Sequence, residues 1–225
     1  MTTSIPRLPL RDELFLLGHD DDTGHPHVHR QTLALGLAGA VLIDLYLAGR
    51  VTLDPNDDTR PASHHRIHPY VDRLVGDLIA DAAIATVRHA HPPLRGWLRG
   101  FSDDLYDRTR AGLVAGGILR HHTRRRLGGL VRTDTYLATD SKWAVIARSR
   151  LRYLAAGREQ PDNHTAALAG LVADLGLTSH LYLDDDTTTL TTRLKAIAGQ
   201  HYQPVRDITA AVDAAVGDLT TAAYR

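Results

Sequence analysis

The feature that most constrains the fold is an apolar segment in the first quarter of the chain, residues 33–47. From Thr32 to Ala48 the only charged residue is Asp44, so a helix here is apolar on nearly every face. Such helices are usually buried on all sides, and this one is shorter than the about 20 consecutive apolar residues that span a bilayer. Gly36 and Gly39 allow neighbouring helices to approach closely. We therefore predict that the segment is the central core helix.

Helical periodicity covers most of the remaining chain. Leu10, Leu14 and Leu17 share one helical face that ends at Gly18. A longer pattern begins at Pro69 and places these residues on one buried face: Val71, Leu74, Val75, Leu78, Ile79, Ala82 and Val87. Further helices are predicted around Trp97, over 103–117, and through most of the chain after residue 140.

Two stretches have the patterns of β-hairpins. A short strand over 50–53 is followed by a turn and a return strand near 65–68. Residues 118–137 contain a Gly128-Gly129 pair and an alternating run at Val131, Thr133 and Thr135. The pattern as a whole predicts a mainly α fold, a single domain over 1–225 with one or two β-hairpins.

The composition argues against several functional classes. Lys and Arg together number 26, equal to Asp and Glu, so no overall field attracts the protein to nucleic acid or to an anionic membrane. There is no cysteine, which removes disulfides and thiolate chemistry. Residues 1–6 lack a basic region followed by an apolar run, so we expect no signal peptide and a cytoplasmic location.

A histidine-rich and acidic stretch is the strongest candidate for metal binding. Imidazole and carboxylate groups are common ligands of Zn²⁺. The alternative is a polar connecting loop, which we favour because no second ligand pair with a recognised spacing occurs elsewhere. We therefore predict neither a metal nor a cofactor. The stretch contains His19, Asp20, Asp21, Asp22, His25, His27 and His29.

Catalytic motifs are missing from the sequence. It contains no nucleophile elbow, no phosphate-binding glycine loop followed by Lys, and no zinc-protease helix motif. The acidic run over 184–186 is explained by a helix start, where carboxylates are favoured. We predict that the protein is not an enzyme.

The strongest local charge lies on the second predicted hairpin. Arginine binds phosphate through two parallel N–H donors, so a basic hairpin suits an anionic lipid surface or a nucleic acid backbone. Alternatively the arginines are solvated and pair with acids elsewhere. The basic residues of this hairpin are Arg120, Arg124, Arg125, Arg126 and Arg132.

The order of several short motifs resembles the Golgi phosphoprotein 3 family, including its bacterial members. The motifs are the run over 8–18, an acidic turn ending in Gly24, the Gly-Leu-Ala-Gly stretch over 36–39, the Leu-Ile-Asp-Leu stretch over 42–45, and the segment over 49–53. The resemblance implies helices around a central antiparallel bundle with a protruding β-hairpin. It also implies a peripheral membrane adaptor that binds phosphatidylinositol 4-phosphate and protein cargo.

The resemblance also implies where a lipid head group binds. The family's pocket uses a Trp at the start of the central helix, an Arg in the small-residue stretch, and arginines before the hairpin. Here those positions are His29, Ala38, Asp103 and Tyr106, so most of the phosphate-binding set is replaced. We expect the anionic head group to meet a basic face made with the hairpin and with His29, Arg30, Arg108 and Arg110.

Two other functions fit the same residues. A helix over 103–117 followed by an arginine-rich hairpin imitates a winged helix, in which the wing contacts phosphates. Asp103, Asp104 and Asp107 on that helix and the zero net charge make nucleic acid a less favoured partner. A protein-protein interaction module without lipid binding is the third reading.

Overall fold

The central element is a helix that runs through the middle of the molecule, as the apolar composition of residues 33–47 predicts. The computed structural model describes residues 7–54, 65–71, 73–126, 131–181, 186–200 and 202–223, with the backbone alone for 89, 124–126, 131–133 and 222–223. In chain order the elements are α1 (Leu10–Leu17), α2 (Arg30–Leu47), β1 (Val51–Leu53), β2 (Ile67–Pro69), α3 (Leu78–Ala90), α4 (Leu94–Ser102), α5 (Leu105–Ala115), β3 (Leu119–Arg126), β4 (Val131–Ala138), α6 (Lys142–Ala155), α7 (Asn163–Asp174), a 3-10 turn (Thr178–His180), α8 (Thr187–Gln200) and α9 (Gln203–Ala223). The predicted mainly α fold class is confirmed.

α2 is the core helix because nearly all of its faces are covered. Helices α1, α4, α5, α7 and α9 all pack against it. A Cβ atom added at Gly39 would lie 2.5 Å from Val212 Cγ2, and one at Gly36 would lie 2.4 Å from Leu175 Cδ1. Both glycines therefore permit the close packing that the sequence predicts.

Among the helices within the described ranges, α2 has the length and hydropathy to cross a bilayer. However, 67% of that stretch is buried inside the protein, in agreement with its predicted core position. α1 runs antiparallel to α2: the Leu10 amide donates to Asp44 Oδ2 at 2.8 Å, while Gly18 lies against Leu33 at the other end.

Both predicted hairpins form. β1 and β2 pair antiparallel, with Val51 opposite Pro69 and Leu53 opposite Ile67. β3 and β4 pair antiparallel from Leu119 opposite Ala138 to Arg126 opposite Val131. The second hairpin packs on α5, which places it beside the amino-terminal end of α2.

The helix predicted from Pro69 is wrong in its first two turns. α3 begins only at Leu78, where Asp77 accepts hydrogen bonds from the amides of Ile79 and Ala80 at 3.0 and 2.9 Å. Gly76 has φ +87°, which ends any helical path from the preceding residues. Four residues that were predicted to be buried are exposed instead: Val71, Leu74, Val75 and Leu78.

Candidate functional site

A cavity of about 250 Å³ lies at the amino-terminal end of α2. Its walls come from the loop between α1 and α2, from α5 and from β4. The loop is shaped by Asp20, whose carboxylate accepts hydrogen bonds from the Thr23 amide and hydroxyl at 2.8 and 2.7 Å. Gly24 has φ +68°, and a Cβ there would lie 2.4 Å from the Tyr136 carbonyl oxygen. Only glycine therefore lets this loop close against the hairpin.

The floor of the cavity is the phenol of Tyr106, held in place by His19. His19 Nε2 lies 2.7 Å from the Tyr106 hydroxyl and its Nδ1 lies 2.6 Å from the Phe15 carbonyl oxygen. Burial lowers the pKa of His19 to about 4, so the ring is neutral at physiological pH. Since a carbonyl only accepts, Nδ1 carries the proton, and Nε2 accepts from the Tyr106 hydroxyl. The orientation of the phenol is thereby fixed.

Two arginines lie against this floor. The guanidinium carbons of Arg30 and Arg110 are 5.1 and 5.7 Å from the centre of the Tyr106 ring. Arg110 also lies 4.4 Å from the centre of the Tyr136 ring on β4. A ring face attracts a guanidinium through its π electrons and leaves most of the N–H donors able to bind a ligand. The aromatic rings thus position two cations at the cavity without neutralising them.

Two carboxylates form the rim of this cavity: Asp134 is part of its lining, and Asp107 is held beside it by an ion pair with Arg110. Asp107 pairs with Arg110 at 2.7 Å, and 66% of the Asp107 side chain is exposed. Asp134 accepts hydrogen bonds from the Thr123 hydroxyl at 2.7 Å and lies 3.0 Å from His121 Nε2. Because the rim balances the two arginines in formal charge, attraction of an anion here depends on the position of the N–H donors and not on net charge.

The structure brings together only part of the predicted basic face. Arg30 and Arg110 line the cavity, whereas Arg108 lies over Phe101 at 5.7 Å and pairs with Asp104 at 3.5 Å. The difference follows from helix geometry: Arg110 is four residues from Tyr106 and shares its face, while Arg108 lies on the other side of α5. His29 is the amino-terminal cap of α2 and accepts from the Gln31 amide at 3.3 Å.

On the hairpin, Arg120 is exposed on β3. The side chains of Arg124, Arg125, Arg126 and Arg132 lie outside the described residues, so their predicted role stays a prediction.

The aromatic residues of this site were not predicted from the sequence. Tyr106 was expected only as a replaced position, and neither Tyr136 nor the supporting role of His19 was predicted. One signal was available, the spacing of four between Tyr106 and Arg110, which places an aromatic ring and a cation on one helical face.

The histidines of the candidate metal stretch have separate structural partners. His19 supports Tyr106, and His29 caps α2. His27 stacks on His180 with ring centres 3.9 Å apart. Among the residues that the structure describes, no three His, Cys, Asp or Glu side chains are grouped as metal ligands would be.

Two comparisons with known proteins found matches to this chain. The family model for Golgi phosphoprotein 3 (GPP34) matches residues 10–219. The chain is similar to Vacuolar protein sorting-associated protein 74 of Schizosaccharomyces pombe, with 25% identity over 138 residues, which cover 54% of this chain and 41% of that protein. The matched region thus spans less than half of the relative's length.

Proposed function

We propose that this chain, which belongs to the Golgi phosphoprotein 3 family, is a peripheral membrane adaptor that binds anionic phospholipid head groups. By family resemblance the preferred head group is that of phosphatidylinositol 4-phosphate. The protein acts in the cytoplasm at the inner face of a membrane, where it carries a protein cargo and catalyses no reaction. The observation that carries the proposal is the pair of arginines held by Tyr106 over an open cavity.

The chemistry of the cavity suits a phosphate monoester better than a neutral ligand. A hydrogen bond to a charged group contributes about 1.5–3 kcal/mol, so two guanidinium groups provide only a weak site by themselves. Each further basic residue close to an anionic surface adds about 1 kcal/mol. Exposed Arg120 and the rest of the basic hairpin, which continues from the cavity wall, would add this less specific attraction.

The proposed site uses different residues from those of the family's lipid pocket. Ala38 replaces the arginine of the small-residue stretch and is fully buried in the core, so this position cannot contact a ligand. Tyr106 replaces an arginine before the hairpin, and Arg110 follows one turn later on the same face of α5. Arg30 follows the position of the family's Trp directly. We infer that the anion-binding function has moved to Arg30 and Arg110.

Co-sedimentation with vesicles tests the proposal. The vesicles contain phosphatidylcholine alone, phosphatidylcholine with phosphatidylserine, or phosphatidylcholine with phosphatidylinositol 4-phosphate at matched charge. We expect the wild type to bind the last most strongly and the double variant R30Q/R110Q to lose that preference. R108Q is the matched control, because Arg108 lies on the other side of α5, and it should bind as the wild type does. Equal binding by R30Q/R110Q and the wild type would contradict the site.

The hairpin is tested separately. Neutralising Arg124, Arg125 and Arg126 should lower binding to all anionic vesicles. The preference for one anionic lipid over another should not change. Unchanged binding would remove the hairpin from the proposal.

A gel-shift titration with double-stranded DNA at two salt concentrations tests the rival function, since phosphate contacts give a steep dependence on salt. Binding to DNA without binding to any vesicle would favour the nucleic-acid reading.

A further inference from the structure

The most exposed apolar side chains of the described residues are concentrated in one short segment. Eight large hydrophobic residues in the described ranges are exposed, and five of them fall within residues 70–78. Leu78 is 86% exposed, Tyr70 71% and Leu74 69%. Val71 and Val75 complete the set, which we call the apolar segment. Scattered surface hydrophobics are normal, but a contiguous group of this size marks an interaction surface.

The fold holds this segment in place while its side chains remain outside. The Tyr70 amide donates to the Arg50 carbonyl oxygen at 2.8 Å. Asp81 accepts from the amides of Val75 and Gly76 at 2.6 and 3.2 Å. These bonds fix the backbone and turn the Asp81 carboxylate towards it, so the carboxylate does not interrupt the apolar surface.

Asp77 is held in a similar way. Besides capping α3, it accepts a hydrogen bond from Arg11 Nη1 at 2.7 Å. Arg73, in contrast, is exposed beside Leu74. Among the described side chains of the segment, five are apolar or aromatic and Arg73 is an exposed cation, while the nearby carboxylates of Asp77 and Asp81 are engaged by the fold. Asp72 lies outside the described residues.

The apolar segment lies on the same side of α2 as the cavity lined by Arg30 and Arg110, which we call the head-group cavity. A second cavity, of about 240 Å³, is lined by Val41 of α2, by Ala48 at its carboxyl-terminal cap and by Val75 of the apolar segment. At 3.6 residues per turn, Arg30, Val41 and Ala48 project within about 20° of one another, while Gly39 projects on the opposite side. That opposite side is covered by α9, since Gly39 packs against Val212. The two cavities are separated along the axis by about 17–27 Å.

We propose that the apolar segment is a membrane-contacting element that inserts its side chains into the interfacial region of a bilayer. The proposal rests on the proposed function, because the surface that brings a head group to Arg30 and Arg110 extends along the same side of α2 to Leu74 and Leu78. A bilayer fits because tyrosine is enriched at the membrane interface, and an arginine there keeps its charge at the head groups while its stem is buried.

Site-specific fluorescence tests the insertion directly. The chain has no cysteine, so L78C can be labelled at that one position with an environment-sensitive nitrobenzoxadiazole dye. Addition of phosphatidylcholine vesicles containing phosphatidylinositol 4-phosphate should raise and blue-shift the emission, and lipids carrying a doxyl quencher should reduce it. A214C is the control, because Ala214 is exposed on α9, on the opposite side of α2. Vesicle binding by labelled L78C without any change in emission would overturn the proposal.

Surface variants separate this proposal from the head-group site. L74S/L78S should weaken vesicle binding by about ten- to a hundredfold and leave unchanged the affinity for the soluble head group glycerophosphoinositol 4-phosphate. R30Q/R110Q should lose the affinity for this soluble head group and the preference for vesicles that contain phosphatidylinositol 4-phosphate. The matched control is V145S/Y153S, which removes two other exposed apolar side chains from α6.

Three results would contradict the membrane-contacting role. The first is an equal loss of vesicle binding in L74S/L78S and in V145S/Y153S. The second is full vesicle binding by L74S/L78S. The third is a change from dimer to monomer in L74S/L78S during sedimentation, with vesicle binding unchanged, which would assign the segment to a second copy of the chain.

Discussion

The arginines at the two ends of the α1–α2 pair have opposite kinds of partner. Arg30 and Arg110 lie at the head-group cavity against the Tyr106 ring. Arg150 of α6 reaches under α1 instead, where it pairs with Glu13, whose side chain is only 4% exposed. His164 Nε2 also lies 3.1 Å from the same carboxylate of Glu13. A guanidinium on a ring retains donors for a ligand, whereas one on a buried carboxylate is neutralised by the protein.

The two kinds of arginine contact have different roles: the buried ion pairs affect stability, and the arginines at the cavity affect ligand binding. The buried end also contains Arg11, which bonds Asp12 at 3.0 Å and Asp77 at 2.7 Å. Charges taken out of water are tolerated only when they are paired, and loss of one partner is strongly destabilising. We therefore expect substitutions at this end to change the free energy of unfolding, and substitutions at the cavity to change ligand binding.

The largest effect should come from Glu13. In E13Q the buried guanidinium of Arg150 loses its counter-charge, and we expect the free energy of unfolding to fall by about 3 kcal/mol. Urea denaturation followed by circular dichroism measures this. Vesicle binding of the folded fraction should stay at the wild-type level, because Glu13 does not line the head-group cavity.

The double variant E13M/R150M is the control for that interpretation. Replacing a buried ion pair by apolar groups of similar volume is often neutral, so the double variant should recover most of the stability lost in E13Q. If E13M/R150M is as unstable as E13Q, the loss comes from packing or from His164, and the unpaired charge is not its cause.

A second, smaller effect concerns Asp44 and depends on pH. Burial raises the pKa of Asp44 to about 6, so the native state holds a proton there that the unfolded chain releases near its ordinary value. This favours the native state at low pH, and the contribution is lost as the pH rises through about 6. Two pKa units correspond to about 3 kcal/mol. Since the Asp44 side chain is 31% exposed, we expect about 1–2 kcal/mol.

The variant D44N removes this titration and keeps an oxygen to accept the Leu10 amide. At pH 8 it should be more stable than the wild type by that amount, and near pH 3, below the ordinary value of 3.8, where Asp44 is protonated in both states, the two should be equal. Denaturation midpoints at the two pH values provide the measurement. A D44N protein that is less stable than the wild type at pH 8 would mean that the charge of Asp44 is stabilised by its neighbours.

The sequence predicts the core of this protein better than its surface. A helix over 33–47 follows from composition alone, because no soluble arrangement leaves that many apolar faces exposed. The predicted start of α3 is wrong. Val71, Leu74, Val75 and Leu78 have helical spacing, but the Asp77 cap and the positive φ of Gly76 determine where the helix begins.

The candidate site, like the start of α3, could be predicted only in part from the sequence. The sequence prediction grouped Arg30 with Arg110, and both line the cavity. That Arg108 lies elsewhere depends on which face of α5 meets the hairpin. The contact of two arginines with one tyrosine is a tertiary interaction between α2 and α5, which local sequence patterns do not encode.

The smallest predicted effect sharpens the comparison at the cavity itself. Asp107 pairs with Arg110 as Glu13 pairs with Arg150, but 66% of the Asp107 side chain is exposed. Exposed ion pairs contribute about 0.2–1 kcal/mol, so D107N should release Arg110 and raise the affinity for phosphatidylinositol 4-phosphate vesicles about two- to threefold. Asp104 pairs with Arg108 away from the cavity, and D104N removes the same charge from the same helix. A larger gain in D107N than in D104N places the effect at Arg110, whereas equal gains would mean that only the net charge of α5 matters.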